Sequence, residues 1–372
     1  MASDTRMMDC IVVGGGLLGL LTARALRHAG AKVVLLERGE TGRESSWAGG
    51  GIVSPLIPWD YPEAVSALVS WSQRHYPVLA RELQEETGID VEWTRCGLLM
   101  VDFELDPLIE SWAESHECSV QSLDKVQTES LEPELGKGFG SSILLPDVGQ
   151  IRNPRLCKAV LKSLNLQGVE IHENTPVLGL MTQGGTIRGV RTAAGEYSAD
   201  RVVITAGAWS AQLLRETGLE LPVEPVRGQM VQFQASPGLL RHIVLYQNHY
   251  LIPRLDGLIL AGSTLEYTGF DKATTTEARD ELTRAASALV PALSECELVR
   301  QWAGLRPGSP EGVPFIGEHP MIRGLFVNAG HFRNGVVMAP GSVQLLLELM
   351  LNQSGFTDTA PYAIDKYMEP SA

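Results

Sequence analysis

The feature that most constrains this chain lies near its start, where an apolar run leads directly into closely spaced glycines. Residues 11–13 are Ile-Val-Val, and after them come Gly14, Gly15, Gly16, Leu17, Leu18 and Gly19. This order predicts a buried strand, a tight turn at Gly14, room for a pyrophosphate at Gly16, and a helix that packs on the sheet at Gly19. The helix N-terminus would point amide hydrogens at the phosphates. The segment is therefore predicted to bind a dinucleotide.

A second apolar run, residues 32–36, ends at Glu37. An acidic residue about 20 positions beyond the glycines accepts hydrogen bonds from a ribose, and its charge disfavours a 2′-phosphate. The competing interpretation is an export signal, because Arg6 precedes an apolar stretch that reaches Leu21. Glycines interrupt that stretch, no cleavage site of small residues follows promptly, and the second apolar run comes after Gly30. The nucleotide site is therefore the favoured interpretation.

Length and composition indicate a large folded protein. A chain of 372 residues exceeds a comfortable single core, so two domains, or one domain with a large insertion, are expected. A formal net charge of −14 disfavours binding to nucleic acid and to anionic membranes. We therefore expect no nucleic-acid and no membrane partner, whereas a homo-oligomer is compatible with the sequence.

The 5 cysteines are widely spaced and form no C-x-x-C pair. This spacing argues against a disulfide framework and against a zinc site, so no metal is expected. Reduced thiols are typical of the cytoplasm, where we expect the protein to act. The sequence also contains no apolar run of the length that a transmembrane helix requires.

Two helices and one unusual segment are predicted from the pattern of apolar residues and glycines. Residues 43–52 are too glycine-rich for an ordinary helix, and close approach of the backbone to a flat ligand would explain them. The apolar spacing predicts helices from Pro62 to about Thr87, with Gly88 as a C-cap, and over residues 276–289.

The second half of the chain returns to strand signals. An apolar strand is predicted at residues 201–206, and we expect it to rejoin the first sheet. Residues 223–262 are strand-rich and antiparallel in character. A last strand at 325–330 ends in glycine and precedes a helix that reaches Met350, so both ends of the chain are predicted to build the nucleotide domain.

Six ordered motifs resemble the family of amine-oxidising flavoproteins that includes D-amino acid oxidase, sarcosine oxidase and, as its most similar branch, glycine oxidase. The resemblance extends over most of the chain. The motifs are Gly14 to Gly19 with Glu37-Arg38, Ser45-Ser46 with Ala48-Gly49-Gly50, Thr205-Ala206-Gly207-Ala208-Trp209, Tyr250-Leu251-Ile252-Pro253-Arg254, Trp302-Ala303-Gly304-Leu305-Arg306-Pro307, and Gly330-His331-Phe332-Arg333-Asn334-Gly335.

The resemblance implies an α/β protein with two domains. A Rossmann-like FAD-binding domain of the glutathione-reductase type would comprise residues 1–80, 150–215 and 305–372. A substrate-binding domain with a mainly antiparallel sheet would comprise residues 81–149 and 216–304 and would lie over the re face of the flavin.

The cofactor implied by the resemblance is FAD. The residues implied to hold its ADP half are Gly14, Gly16, Gly19, Glu37 and Arg38, with Val177 meeting the adenine through its backbone. Those implied to run beside the isoalloxazine are Ser45, Ser46, Gly50 and Gly51. Those implied to cover its pyrimidine end are Gly330, His331, Phe332, Arg333, Asn334 and Gly335. The other expected members of the cofactor site are Gly15, Leu17, Leu18, Ala48, Gly49, Ala206, Gly207 and Trp209.

The resemblance also bears on how FAD is held. Some sarcosine oxidases attach flavin covalently to a cysteine in the stretch that corresponds to residues 302–315. This chain has no cysteine there, so non-covalent FAD is expected.

Three residues are implied to act in catalysis. Arg306 would bind the substrate carboxylate with a two-pronged guanidinium, Tyr250 would donate its phenol to the same carboxylate, and Arg333 would stabilise negative charge on the reduced flavin. On the residues alone, ordinary alternatives stay open: ion pairs with nearby acids for the two arginines, and packing for the tyrosine. His331 is assigned no proton transfer, since solvent can deprotonate the substrate ammonium.

Substrate size is expected to depend on Ile52, Asn248 and Leu265, which the resemblance places above the ring. Bulky side chains there would favour glycine, sarcosine or small D-amino acids. The D-amino acid oxidase subgroup also carries a mobile lid with a tyrosine. Between Gln234 and Gln247 no equivalent is recognised, although Tyr246 keeps the question open.

The implied activity is oxidative deamination by hydride transfer to flavin N5. Reoxidation by O2 would give hydrogen peroxide, and the imine would hydrolyse to glyoxylate, or another α-keto acid, and ammonia. The similar enzyme of thiamine biosynthesis supplies iminoglycine in this way. The alternatives are a D-amino acid oxidase or quinone-linked dehydrogenase of the same fold, a structural FAD-binding subunit, and an NAD-linked dehydrogenase.

Overall fold

The computed structural model of the protein describes residues 10–368, so Arg6 of the alternative export signal lies outside the described residues. In chain order the strands are β1 (Cys10–Val13), β2 (Val33–Leu36), β3 (Ile52–Val53), β4 (Thr94–Arg95), β5 (Leu98–Val101), β6 (Gln121–Leu123), β7 (Ser142–Leu145), β8 (Gly149–Gln150), β9 (Glu170–His172), β10 (Val177–Gln183), β11 (Thr186–Thr192), β12 (Gly195–Ser198), β13 (Arg201–Ile204), β14 (Glu224–Gln234), β15 (Ile243–Tyr246), β16 (His249–Pro253), β17 (Leu258–Gly262), β18 (Glu297–Gly308), β19 (Phe315–Glu318) and β20 (Leu325–Ala329).

The α-helices of the same range are α1 (Leu17–His28), α2 (Ser45–Ala48), α3 (Glu63–Thr87), α4 (Pro107–Ser115), α5 (Lys125–Leu131), α6 (Asn153–Leu166), α7 (Ser210–Leu214), α8 (Thr276–Leu289) and α9 (Gly335–Met350). Short 3-10 turns lie at Pro58–Asp60, Gly207–Trp209, Arg215–Thr217, Pro291–Glu295, Pro310–Gly312, Phe332–Asn334, Ala360–Tyr362 and Asp365–Tyr367. Between residues 10 and 368, none of the helices combines the length and the apolar character that crossing a bilayer requires.

The central sheet has the strand order β19-β20-β13-β1-β2-β9. β1 runs parallel to both of its neighbours, with Val12 opposite Leu35 of β2 and Val203 of β13. β9 and β20 extend the parallel arrangement, and β19 adds an antiparallel edge. The sheet has apolar residues on both faces, which is typical of parallel strands covered on two sides. The expected return of residues 201–206 and of the C-terminal strand to the first sheet is confirmed.

The second large sheet has the order β18-β14-β17-β16-β15-β5-β7-β6. Neighbouring strands are antiparallel except β5 and β15, which run parallel. The expected mainly antiparallel sheet and the mixed α/β class are therefore confirmed. The proposed domain boundary at residue 305 lies inside β18, because that strand continues to Gly308. The division into two domains remains a proposal.

Local predictions agree with the structure except at one segment. The helix expected from Pro62 to Thr87 is α3, and Gly88 ends it with φ at 71°, while residues 276–289 form α8. Residues 45–48, expected to avoid ordinary helix, form one helical turn. Contacts with β18 hold that turn in place, since Trp302 Nε1 donates to the Ala48 carbonyl at 3.0 Å.

Helices α1, α3, α6 and α9 cover one face of the central sheet, and α3 and α9 approach each other closely at Gly341. The Gly341 N–H donates to Ser72 Oγ at 2.8 Å. A Cβ added at Gly341 would lie 2.7 Å from the Leu68 carbonyl oxygen, closer than real Cβ contacts allow. The backbones of the two helices therefore touch through this glycine.

This contact makes Gly341→Ala a test of the packing. Alanine normally stabilises a helix interior relative to glycine, but here the methyl would force α3 and α9 apart. We expect a loss of about 1–3 kcal/mol and a lower midpoint of thermal unfolding. Gly317→Ala is the matched control, because a Cβ there meets nothing within 4 Å. A midpoint that rises in Gly341→Ala would contradict this account.

Candidate functional site

The glycines of the turn after β1 are needed for two different reasons. Some are required by the packing of the fold, and one leaves space for a ligand. A Cβ at Gly19 would lie 1.8 Å from the Gly14 carbonyl oxygen, and one at Gly14 would lie 2.6 Å from the Thr205 carbonyl oxygen. These two glycines are required by the packing of α1 against β1 and β13. Gly16 is different, because its backbone is extended and a Cβ there would meet only Ser46 Oγ, at 3.1 Å. The fold tolerates a side chain at Gly16, and the open space in front of it fits a bound group.

Glu37 lies beneath the same turn. Its carboxylate accepts hydrogen bonds from the Gly15 N–H at 2.6 Å and from the Gly39 N–H at 2.8 Å, one on each oxygen. Only 7% of Glu37 is exposed, so its position is fixed. Each oxygen keeps a free lone pair. The arrangement suits acceptance of ribose hydroxyls, as the sequence predicted.

A single cavity begins at this turn and extends to the start of α9. All the expected cofactor residues line it except Gly15, Gly19, Ala48, Gly50, Gly51 and Asn334. At one end of the cavity, the Arg38 guanidinium stacks on Trp209, 3.4 Å from the ring centroid, and donates to Glu44 at 2.8 Å. The sequence motifs therefore predict most of the cavity wall.

Asn328 provides an independent reason to expect a polar ligand in this cavity. The residue lies on β20, is 1% exposed and lines the cavity. In the described part of the chain, neither Oδ1 nor Nδ2 of Asn328 has a hydrogen-bond partner. Buried amides are normally satisfied. Together with the space at Gly16 and the carboxylate of Glu37, this fits a bound dinucleotide.

Arg306 also lines the cavity. Nη2 donates to Ser263 Oγ at 2.7 Å and Nη1 donates to the Thr264 carbonyl at 3.1 Å, and both acceptors are neutral. Burial lowers the pKa of the Arg306 guanidinium; Tyr250 and Glu266 oppose the shift, and the charge of Arg333 adds to it. The site therefore holds a partly buried cation with guanidinium donors that are available to an anion.

Tyr250 and Arg306 come together because glycines in the sheet leave space for their polar ends. A Cβ at Gly262 would lie 2.9 Å from the Tyr250 hydroxyl oxygen, and one at Gly228 would lie 2.0 Å from Arg306 Nη1. Gly228 and Gly262 lie inside strands β14 and β17, where glycine commonly marks a close approach. The sequence analysis did not identify these two glycines as part of the site, although their position within apolar strands was a usable signal.

The three expected pocket residues occupy different surroundings. Ile52 is half-buried and packs with Tyr250, Met230 and Trp302 in one apolar cluster. Leu265 is 46% exposed and follows Thr264, whose carbonyl binds Arg306. Asn248 is exposed in the turn between β15 and β16. Met230 and Trp302 were not predicted, because an apolar residue in a strand gives no sequence signal of facing a site.

The two remaining candidates lie at the start of α9. Arg333 is exposed at the cavity wall, and the pKa of Arg306 responds to its charge. His331 is 2% exposed and its Nε2 lies 2.8 Å from Ser342 Oγ. Burial lowers the pKa of His331 to about 3, so the ring is neutral at physiological pH and a weak base. This agrees with giving His331 no proton-transfer role.

Tyr246 does not extend over the cavity. It lies on β15 and packs edge-to-face against Phe139, with ring centroids 5.3 Å apart, in the apolar cluster on the opposite face of the sheet from Tyr250. The lid question that the sequence left open is thus answered for this residue, which belongs to the core.

Comparison with known proteins agrees with this geometry. A family model described as FAD dependent oxidoreductase matches residues 9–349. A glycine oxidase from Pseudomonas aeruginosa is 48% identical over 354 residues, which cover 95% of this chain and 97% of the relative. A glycine oxidase from Pseudomonas putida is 47% identical, with 95% and 97% covered. The crystal structure of glycine oxidase from Geobacillus kaustophilus has a TM-score of 0.88 at 30% identity and covers 98% of this chain and 100% of that one.

The space at Gly16 leads to a prediction for Gly16→Val. The side chain should fit the protein at the cost of a small shift of Ser46, but it should occupy the space needed by the cofactor pyrophosphate. We expect the dissociation constant of FAD to rise about 10- to 100-fold, corresponding to about 1–3 kcal/mol of overpacking. Titration of the apoprotein with FAD measures this, and unchanged thermal unfolding of the apoprotein is the control. Wild-type affinity for FAD would refute the assignment.

Proposed function

Since the chain belongs to the FAD dependent oxidoreductase family, we propose that it oxidises glycine and other small amino acids or amines, with O2 as the electron acceptor. The observation that carries the proposal is Arg306, a partly buried cation on the cavity wall that is bound to neutral acceptors beside Tyr250. The proposed overall reaction converts glycine, O2 and water into glyoxylate, ammonia and hydrogen peroxide. Identities of 47–48% to two glycine oxidases support the choice of glycine.

Bound FAD supplies the two-electron acceptor for this reaction. The role of the protein is to fix the substrate in front of it. Arg306 has a planar fork of donors that matches both oxygens of a carboxylate, and in a desolvated site such a contact is strong. The Tyr250 hydroxyl, held over Gly262, adds a donor to the same anion. Orientation of this kind accounts for much of the rate enhancement in reactions between bound groups.

The side chains around Tyr250 support a small substrate. A Cβ at Gly50 would lie 2.5 Å from Ile252 Cδ1, 3.6 Å from Tyr250 Cε2 and 3.7 Å from Met230 Cε. With Ile52 packed into the same cluster, little space remains beyond the anchored carboxylate. Glycine, sarcosine and D-alanine are therefore the proposed substrates, and Ile52, Asn248 and Leu265 are the proposed determinants of their relative rates.

The proposal is tested by oxygen consumption with glycine, sarcosine, D-alanine and D-proline, repeated with a dye as acceptor. We expect rapid oxygen uptake with glycine and sarcosine and bleaching of the yellow colour when glycine is added without oxygen. A preference for D-proline would indicate a D-amino acid oxidase. Turnover with the dye alone would indicate a dehydrogenase. A colour that no amino acid bleaches would indicate a structural flavin.

Arg306→Ala should separate substrate binding from cofactor binding. Loss of a partly buried charge contact should lower kcat/KM for glycine by a factor that corresponds to about 2–4 kcal/mol of transition-state stabilisation, mainly through a higher KM, while FAD stays bound. Arg300→Ala is the matched control, because Arg300 is on the same strand but exposed, 4.7 Å from the Trp47 ring centroid. Equal KM values for wild type and Arg306→Ala would rule out the anchor.

A further inference from the structure

A connection without regular secondary structure joins β17 to α8. This connecting segment, residues 263–275, contains neither helix nor strand. Most of its residues are exposed, including Tyr267 at 66% and Phe270 at 39%. Exposed connections are normally the most mobile parts of a fold. Contacts that hold such a segment in one place therefore indicate what it does.

Arg227 fixes the connecting segment at two places, before and after the loop of residues 267–270. Arg227 lies on β14 and is 5% exposed. Its Nε and Nη2 donate to Glu266 Oε2 at 3.1 and 2.5 Å, and its Nη1 donates to Asp271 Oδ2 at 2.8 Å and to the Ala273 carbonyl at 3.0 Å. Charge-assisted bonds from one guanidinium fork are strong and directional. The loop therefore stands on a fixed base.

The same segment contacts the wall of the cofactor cavity. The Phe270 ring packs on the Trp209 ring, with centroids 5.2 Å apart and 31° between the planes. Lys272 Nζ donates to both carboxylate oxygens of Glu44 at 3.0 Å. Trp209 and Glu44 both line the cavity. A segment that begins in the antiparallel sheet is thus bound to two residues of the cavity wall.

Arg38, which also lines the cavity, joins these two wall residues to each other. Its Nη2 donates to Glu44 Oε1 at 2.8 Å, and its guanidinium lies 3.4 Å from the centroid of Trp209. The contacts form a closed chain whose members are, in order, Lys272, Glu44, Arg38, Trp209 and Phe270. Because this chain begins and ends on the connecting segment, displacement of any wall residue breaks contacts on two sides.

The closed chain lies at the end of the cavity where Glu37 is proposed to bind a ribose, since Arg38 directly follows Glu37. The side chains of Arg38 and Glu44 are 40% and 29% exposed, so without the connecting segment they could rotate into solvent. Side chains that rotate freely lose conformational entropy when a ligand orders them, and this loss weakens binding. Contact with the connecting segment removes that cost before the cofactor binds.

We propose that the connecting segment clamps the cofactor site and slows the dissociation of FAD. Phe270 acts as a positioning residue through Trp209. Lys272 acts as a positioning residue through Glu44 and Arg38. The proposal rests on FAD binding by this chain but not on the identity of the amino acid oxidised. It gives a function to a loop that lies outside all six sequence motifs.

The experiment measures the dissociation rate constant of FAD from the holoenzyme. Protein loaded with radiolabelled FAD is mixed with a large excess of unlabelled FAD, and loss of the label from the protein is followed with time. The variants are Phe270→Ala, Lys272→Met, Lys272→Arg and the double variant with Phe270→Ala and Lys272→Met. The thermal midpoint of each holoenzyme is recorded alongside.

Two matched controls lie in the same region. Tyr267→Ala removes an exposed aromatic side chain from the same loop. Arg43→Met removes a positive charge next to Glu44, but Arg43 donates to Glu40 at 2.9 Å, so the pair of Lys272 with Glu44 stays in place. Arg43→Met therefore measures the general effect of one positive charge on the negatively charged cofactor.

We expect the dissociation rate constant to rise about 2- to 5-fold in Lys272→Met, because ion pairs between partly exposed groups contribute modestly. Loss of the aromatic contact in Phe270→Ala should raise it about 3- to 10-fold. The double variant should show a rise of about 10- to 50-fold. Lys272→Arg keeps the charge and should stay near the wild-type value. Since salt screens exposed ion pairs, added salt should accelerate dissociation from the wild type more than from Lys272→Met.

An unchanged rate constant in the double variant would overturn the proposal, even if its thermal midpoint falls, because the contacts would then only stabilise the fold. Equal acceleration in Arg43→Met and Lys272→Met, or in Tyr267→Ala and Phe270→Ala, would overturn it as well. If the double variant fails to fold, the two single variants provide the test.

This test is independent of the proposed substrate, because dissociation of FAD is measured without an amino acid. Failure of glycine to reduce the wild-type flavin would overturn the proposed function and leave the dissociation rate constants interpretable.

Discussion

The structure depends on the close crossing of α1 over the end of β1. Gly19 lies so near the Gly14 carbonyl that no other residue fits, and Gly14 itself lies against Thr205 of the neighbouring strand segment. This contact fixes the helix N-terminus, the Glu37 carboxylate and the end of β13 around one point. The cavity wall is built from these parts. The cofactor site is thus a consequence of how closely three backbone segments approach one another.

The antiparallel sheet is attached to that site through the glycine-rich segment at residues 45–51. Trp302 Nε1 donates to the Ala48 carbonyl, and Ser45 Oγ donates to the Leu305 carbonyl. A Cβ at Gly304 would lie 2.5 Å from the Ala48 Cβ, so the helical turn rests directly on β18. Since Arg306 follows on the same strand, the contact that shapes this cavity-lining turn also sets the position of Arg306, the proposed carboxylate anchor.

The sequence was sufficient for strands β1, β2, β13 and β20 of the central sheet and for the glycine turn and Glu37 at one end of the cavity, but it did not predict the edge strand β19. Glycine spacing and apolar runs are local signals, and they located β1, α1, β2 and Glu37 directly. Three other features depend on contacts between distant segments. Gly228 and Gly262 matter because of what lies above them, and Asn328 stands out only because its amide is buried without a partner in the described range. Such properties arise from the tertiary fold. The two glycines had one local signal, their position within apolar strands, whereas Asn328 had none.

Arg254 and Arg306 are both arginines of the antiparallel sheet region, but their surroundings differ. Arg254 makes three hydrogen bonds to oxygens of the surrounding protein, two of them to backbone carbonyls. Arg306 bonds to one carbonyl and one hydroxyl, and the fork of a guanidinium holds five donor hydrogens. Arg306 lines the cavity, where its remaining donors are available to an anion, whereas Arg254 is not part of the cavity lining. We therefore propose that Arg254 fixes the surrounding protein segments and that Arg306 binds the substrate carboxylate.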